Sequence, residues 1–527
     1  MRGLLQGIFG AWENGVAAAL TVLSTIYGVG YFLIVRAVEL PVGITYLLLF
    51  RRFGLSDFIV RNSIVTAFVS SMFMIISYVV MGRGWTAGEW PHLLVAVPVY
   101  LVCITAFVVA AQSMSHMPAG LDEIEREIGR RWPEKWFSTR LRKSCDAYFV
   151  RFVLDSAVRV LPSTFLLFFV DFRFVDSVFA VGFYLLSQAM SADCVEIVDH
   201  TDIHNSVFRC RRDRTTSDKA IVWIMRNCWT YVLAPLCLRV PHFYRVQHLY
   251  VHHVENNGLS DNGSTLPYDR ASFVDFCKLA FKLGISLSSA VDVSLYLLRR
   301  NKRRPFRQLW VGMLLWYGGL ALVAIVHWEA AIIMIGTRFL GGGISAARTA
   351  FSWHGLIDMD EPENIYKNTT NAYLADGHGA FGSALHVEHH INPGSHWSDL
   401  QMRARANENQ HVAFEAVELW GFGWFGNYFL AAVWMKRFDL IASYCVRIGS
   451  YGAEPGDLAA TIERRTRPWG GHGRRGFARR IDEIMGRFVA GYLIGALRGT
   501  SEQQLAQIHR EVASREVMVR SRVAHRG

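Results

Sequence analysis

The sequence predicts an all-α integral membrane protein with about six transmembrane helices in hairpin pairs, interfacial helices, and a histidine-rich cap on one side of the bilayer. Three observations predict it. Composition is apolar, 52% hydrophobic and only 19% charged, where soluble chains hold about 45–50% and about 25%. Apolar runs near the roughly 20 residues needed to cross a bilayer recur along the chain, separated by short arginine-rich segments. The histidines crowd into tight clusters that follow apolar segments.

The elements follow in order. Segment 15–50 is apolar but interrupted by Arg36, Glu39 and Pro41, so it spans once or lies in the interface. Runs 62–82 and 93–113 form the first clear pair of spans, and 153–170 with 174–190 the second. The run 221–240 contains Arg226 and Asn227 and reads as interfacial. So does 275–298, where Asp275, Lys278, Lys282 and Asp292 supply a polar face. The run 309–340, about 32 residues, is too long for one span and is expected to cross twice, turning near His327-Trp328-Glu329. Residues 449–527 are arginine-rich, with an amphipathic stretch at 477–498 expected to pack on the core or on headgroups. The organisation expected is an N-terminal membrane region with a basic loop (1–150), a histidine-rich core (151–400) and a peripheral C-terminal region (401–527).

The net charge of +11 raises nucleic acid as a partner. The positions of the charges exclude it: Arg51-Arg52, Arg130-Arg131, Arg140 to Lys143 and Arg299 to Arg307 all sit beside spans. That is the positive-inside pattern, and such loops also attract anionic headgroups. Eight scattered cysteines form no C-x-x-C pair, which excludes a zinc ribbon, a fused ferredoxin-type cluster and a redox disulfide motif. No cleavable signal peptide is expected, since no short apolar core is followed by a small-residue cleavage site.

Of 19 histidines, eight fall into three boxes: His200 and His204 (H-x3-H), His248, His252 and His253 (H-x3-H-H), and His386, His389 and His390 (H-x2-H-H). On a helix, residues three or four apart share a face, so each box points imidazoles together. Eight imidazoles converging can hold two metal ions, and neutral imidazole suits iron, zinc, copper and nickel. A lone histidine is ordinarily a structural hydrogen-bonding residue, and His92, His116, His242, His411, His472, His509 and His525 are read so. To share a centre the boxes must lie on one side of the bilayer. With 221–240 and 275–298 interfacial and 309–340 crossing out and back, all three end on the cytoplasmic side with the basic loops.

These three boxes, in this order among paired spans, resemble the membrane fatty acid desaturase and hydroxylase superfamily over about residues 150–400. The stretch His386 to Trp397, HVEHHINPGSHW, is similar to the third box of lipid desaturases. The resemblance implies a non-haem di-iron centre of two Fe ions, O2 as oxidant, and a lipid or fatty-acyl substrate. It also implies electrons from an external ferredoxin or cytochrome b5-type donor with its reductase. Zinc lacks the redox chemistry for attack on an unactivated C–H bond.

In acyl-CoA desaturases a ninth histidine precedes the third box by about thirty residues, and His354 in Ser352-Trp353-His354-Gly355 matches that position. An Asn commonly precedes it by four residues; here Ala350 stands there, which questions a water-mediated ligand. Glu196 and Asp199, and His378 in a glycine-flanked loop, are the candidates to support the ligand rings, with Asp193, Asp202, Glu255, Glu388 and His396 also near. The polar stretch 256–268 reads as a loop or a lid over substrate.

No His-Pro-Gly-Gly of a fused cytochrome b5 domain occurs, and the arginines at 464–465, 474–475 and 479–480 form a basic face that a donor would meet. Desaturation is the expected outcome, with hydroxylation of an acyl chain, alkane or carotenoid as the alternative within the superfamily. The bacterial inner membrane is the expected location in preference to the endoplasmic reticulum. A membrane metal transporter is the alternative from another class; it predicts histidines inside spans, whereas these follow them.

Overall fold

The computed structural model describes residues 2–51, 55, 59, 63–87, 90–114, 121–172, 177–373, 379–420, 425–443, 445–448, 455–469 and 476–497. Among these, six stretches are long and apolar enough to cross a bilayer: Ala17–Ile34, Ser63–Gly82, Pro91–Ala111, Ser144–Phe169, Ser177–Asn205 and Arg303–Trp353. The first belongs to α1 (Arg2–Thr45), the expected N-terminal apolar element. Helices α2 (Ser63–Ala87) and α3 (Trp90–Met114) pack along their lengths, as do α4 (Tyr148–Phe169) and α5 (Ser177–Asn205). Both expected hairpin pairs are present. Leucine, valine and phenylalanine side chains on their outer faces stay exposed, Val65 and Val95 among them, as lipid-facing positions require.

The last stretch folds back on itself, as a double crossing requires. Helix α9 (Arg303–Thr337) is broken at His327, whose backbone is extended at φ −154°, ψ 83°. The Arg338 guanidinium lies 5.8 Å from the Trp316 ring; a straight helix would separate residues 22 apart by about 33 Å. The chain therefore doubles back at His327, whose Nε2 bonds the Val170 carbonyl at 2.7 Å. The returning limb continues through a wide π turn, Arg338–Gly342, into α10 (Gly343–Trp353).

Between α5 and α9 lie the elements that carry the middle of the site. Helix α6 covers 243–255, and its central turn, His248–His252, is again a π turn. The region 275–298 is two helices, α7 (Phe273–Ser289) and α8 (Val291–Arg299), which meet at 74°. On it Lys278 pairs with Asp275 at 3.3 Å, and Asp292 accepts from Ser286 at 2.8 Å. Helix α7 packs on α10. Beyond α10 come α11 (His386–Ile391), α12 (Phe425–Trp434) and α13 (Gly476–Leu497). The amphipathic stretch of the C-terminal region is α13, and it packs on α12 as expected, with Val489 and Ala490 buried and Asp482 capping the Val274 amide at 2.8 Å.

One element was not expected. Strands β1 (Thr370–Tyr373), β2 (Val417–Trp420) and β3 (Cys445–Ile448) form a small sheet in that order, β1 parallel and β3 antiparallel to β2. Four-residue strands carry too little alternation to register as a pattern. Arg270, fully buried, ties three distant segments together by donating to the carbonyls of Thr265, Gly355, Arg465 and Arg467.

Close approach to the outgoing limb of α9 requires a glycine. A Cβ on Gly312 would stand 1.7 Å from the Pro241 carbonyl oxygen, just before α6, whereas one on Gly318 meets nothing within 4 Å. Gly312→Ala is expected to lower stability by about 1–3 kcal/mol through overpacking, while Gly318→Ala leaves it unchanged or raises it. Thermal unfolding of the two variants in one detergent compares them.

Candidate metal centre

The site is assembled from four segments. Helix α5 carries His200 and His204 one turn apart on its last two turns. Helix α6 carries His248, His252 and His253. The end of α10 supplies His354, and α11 supplies His386, His389 and His390.

The π turn in α6 answers a geometric problem. In a regular helix at 3.6 residues per turn, positions i and i+5 point about 140° apart, so His253 would face away from His248. A π turn closes i onto i+5. Accordingly His253 Nε2 stands 3.1 Å from His248 Nε2 and 3.2 Å from His204 Nε2.

All nine predicted imidazoles converge. His200, His204, His248 and His389 form one group, and His252, His354, His386 and His390 a second, each with its ring nitrogens within 4.8 Å of one another. His253 lies between them, its ring centre 4.7 Å from His204, 4.6 Å from His248, 4.8 Å from His389 and 4.6 Å from His390. Inward-facing nitrogens approach closely: Nε2 to Nε2 is 3.1 Å for His200–His389 and 3.2 Å for His386–His390. Adjacent imidazole ligands about 2.1 Å from one ion stand about 3.0 Å apart at right angles, so the spacing is that of a ligand cage.

Four of the outward nitrogens are tethered. His204 Nδ1 meets the Pro393 carbonyl at 2.9 Å, His354 Nδ1 the Asn368 carbonyl at 2.8 Å, and His386 Nδ1 the Ser383 carbonyl at 3.2 Å. His252 Nδ1 meets Asp261 Oδ2 at 2.7 Å. A carbonyl or carboxylate can only accept, so each Nδ1 carries the proton and each Nε2 presents a lone pair to the interior, the arrangement usual for metal-binding histidines. His354 Nε2 is buried with no hydrogen-bond partner, an orphan that a metal ion in the second group would satisfy. Burial holds His386, His389 and His390 well below the ordinary imidazole value, and pushes His354 down to about 3. The rings are therefore neutral near pH 7, the form that ligates. The donor set fits two ions of an imidazole-accepting metal.

The supporting carboxylates sit differently from expectation. Glu196 pairs with Arg239 at 2.5 Å and accepts from Tyr244, whose ring stacks on His248 at 5.1 Å. Asp199 accepts from Trp229 at 2.9 Å. Neither is bonded to an imidazole, and Glu196 stands in the wall of the cavity beside the cage. His396 contacts Asp146 at 3.0 Å and Ser398 at 2.8 Å, away from the cage. Ala350 lines the cavity beside the cage. His378 lies outside the described residues, as do His116, His472, His509, His525, Arg474 and Arg475.

Sequence reasoning missed Asp261, which lies in the polar stretch read as loop or lid. Much of that stretch is buried scaffolding: Asn257 Oδ1 accepts from the Thr265 amide at 2.9 Å, and Thr265 Oγ1 donates to the His354 carbonyl at 2.7 Å. His411, read as a structural hydrogen-bonding residue, is one, with partners that the sequence did not indicate. This ring is fully buried between two carboxylates, Nε2 2.9 Å from Glu388 and Nδ1 2.7 Å from Glu418, and so ties α11 to β2. An aspartate nine residues after a histidine leaves no periodic signal, and a pairing across 23 residues leaves none either.

A cavity of about 560 Å³ opens against the cage. His200, His248, His252, His354 and His386 form its floor, and Leu186, Leu283, Leu287, Ile344, Leu430 and Trp434 contribute apolar wall. Residues 180–418 match the fatty acid desaturase family model. Over that segment the chain is similar to the membrane fatty acid desaturase/hydroxylase family, a family of oxidoreductases. Comparison with curated proteins and with solved structures gives no match.

Two outcomes are expected from the supports. Asp261→Ala should weaken metal retention about 10–100-fold, measured as metal per chain after dialysis against graded chelator. Burial disfavours the His411 cation, but its hydrogen bonds to Glu388 and Glu418 outweigh that and raise it to about 9, above the ordinary 6.5. Its contribution is therefore complete below about pH 6.5 and is lost as pH rises through about 9. The wild-type melting temperature should fall between about pH 7 and about pH 10. His411→Leu, which strands two buried carboxylates, should cost about 3–5 kcal/mol at pH 7 and flatten that dependence.

Proposed function

We propose that this chain is an O2-dependent, non-haem di-iron oxidoreductase that inserts a double bond into a fatty-acyl chain. The observation that carries the reading is the cage itself: nine imidazoles, arranged as two groups with His253 between them, facing an apolar cavity. His200, His204, His248, His253 and His389 would hold one iron, and His252, His354, His386 and His390 the other. Iron, unlike zinc, supplies the redox chemistry for taking hydrogen from an unactivated methylene when O2 is the oxidant.

The protein contributes position and exclusion. Asp261 and the Pro393, Asn368 and Ser383 carbonyls fix ring orientation. The apolar wall orients a hydrocarbon chain over His200 and His248 and keeps water out. In balance, a –CH2–CH2– unit, O2, two electrons and two protons give –CH=CH– and two waters. The electrons come from an external ferredoxin or cytochrome b5-type donor.

A sidedness follows from the basic loops. Arg142 N bonds Arg209 O and Arg211 N bonds Arg140 O, both at 2.8 Å, so two arginine-rich segments meet directly after the first histidine box. By the positive-inside rule that face is cytoplasmic, where such a donor and its reductase would meet it. The bacterial inner membrane is the membrane we assign. Hydroxylation of the same chain is the second reading, since transfer of oxygen rather than a second hydrogen abstraction needs only a small change in substrate placement.

Purified protein should retain two irons per chain, and His248→Ala fewer. Anaerobic reduction in lipid extract followed by O2 should give a product lighter by about 2 mass units; a gain of about 16 selects hydroxylation. Zinc in place of iron, or no mass change with iron bound, overturns the proposal.

A further inference from the structure

The cavity is not uniformly apolar. Two ion pairs stand in its wall, Arg239 with Glu196 and Arg348 with Asp193. All four side chains are open to it, with 21% and 26% of Arg239 and Glu196 accessible, and 27% and 39% of Arg348 and Asp193. Their heights follow from the helices. Glu196 precedes His200 by four residues on α5 and Asp193 by seven, or about 6 and about 10 Å along the axis. Arg348 precedes His354 by six residues on α10, about 9 Å. The two helices thus place a polar belt one to two turns from the imidazole floor. Beyond it lie Leu185, Tyr31, Phe32 and Ile34, with Ile34 exposed on the outer face of α1.

A channel for a bare hydrocarbon has no use for this belt, because each charge costs desolvation that an alkyl chain cannot repay. An anionic head is equally ill suited, since each guanidinium already faces a carboxylate that would repel a second anion. A neutral group that both donates and accepts fits. A guanidinium has five N–H donors and a carboxylate about four acceptor sites, so one ion pair leaves capacity on both partners.

We propose that the substrate is a lipid bearing a neutral hydrogen-bonding group, an amide or a hydroxyl, held at this belt. The oxidised carbon then lies within about 10 Å of that group rather than near the far methyl end. The inference rests on the lipid-oxidase reading above and narrows its substrate class. Asp193, Glu196, Arg239 and Arg348 are assigned as specificity-determining residues.

The test uses full-length, iron-loaded protein in nanodiscs, without reductant. Binding is read by quenching of tryptophan fluorescence, since Trp353 and Trp434 line the cavity. A long-chain primary amide, the alkane and the carboxylate of equal length are compared near pH 8. The amide should bind at least about tenfold more tightly than either, the effect of one net hydrogen bond to a charged partner. In Asp193→Leu/Arg348→Leu the advantage should shrink about tenfold while alkane affinity and iron content hold. Exchanging an ion pair for apolar residues is commonly neutral for stability, and the wild-type comparison needs no variant.

Equal wild-type affinities for amide and alkane, or preference for the carboxylate, overturn the inference while two irons per chain leave the oxidase reading standing. A chain that holds no iron and binds none of the three lipids loses both.

Discussion

Nine imidazoles gathered in one place, five of them buried, set the terms for the rest of this structure. A buried polar nitrogen must find a partner, and an imidazole has two that must be satisfied from opposite directions. For His204, His252, His354 and His386 the outer nitrogen meets an acceptor, a carbonyl or the Asp261 carboxylate, which commits the inner one to face the centre as a lone pair. The cage is thus held by groups outside the nine imidazoles. Those groups come from loops that look unremarkable in the chain: 256–268, the turn near Pro393, and the stretch around Asn368.

The helices bend to serve this convergence. Regular α geometry would turn His253 away from its neighbours, and the π turn at His248–His252 brings it back. A second π turn, Arg338–Gly342, leads the returning limb of the hairpin into α10, which ends at His354. Arg338 on that turn donates to the carbonyls of Leu238 and Leu287, joining the limb to the segments before α6 and within α7. Arg270 does the same between the loop after α6, the Gly355 carbonyl and the C-terminal region. Buried guanidiniums satisfied by backbone carbonyls act as fixed struts, since five planar donors pre-set the directions of the segments they join.

Behind the cage, His411 between Glu388 and Glu418 anchors the third box to the small sheet. In front, the cavity wall carries charge in paired form. Both features combine ionisable groups with burial, and in both the pairing is what makes the burial tolerable. One serves rigidity; the other sits where a ligand would meet it.

The sequence by itself determined the membrane character, both early hairpins, the turn at His327 and all nine histidines. Each of these is a local signal: an apolar run of a certain length, or imidazoles three and four residues apart on one helical face. Tertiary structure decided what local patterns do not encode. It placed Asp261 rather than Glu196 or Asp199 on an imidazole, set His411 between two glutamates, built the sheet from 370–373, 417–420 and 445–448, and paired Asp193 with Arg348 in the cavity wall. These are pairings between segments up to 155 positions apart. Side chains so distant come together only once packing has fixed the helices, and so their contacts leave no periodic trace in the chain.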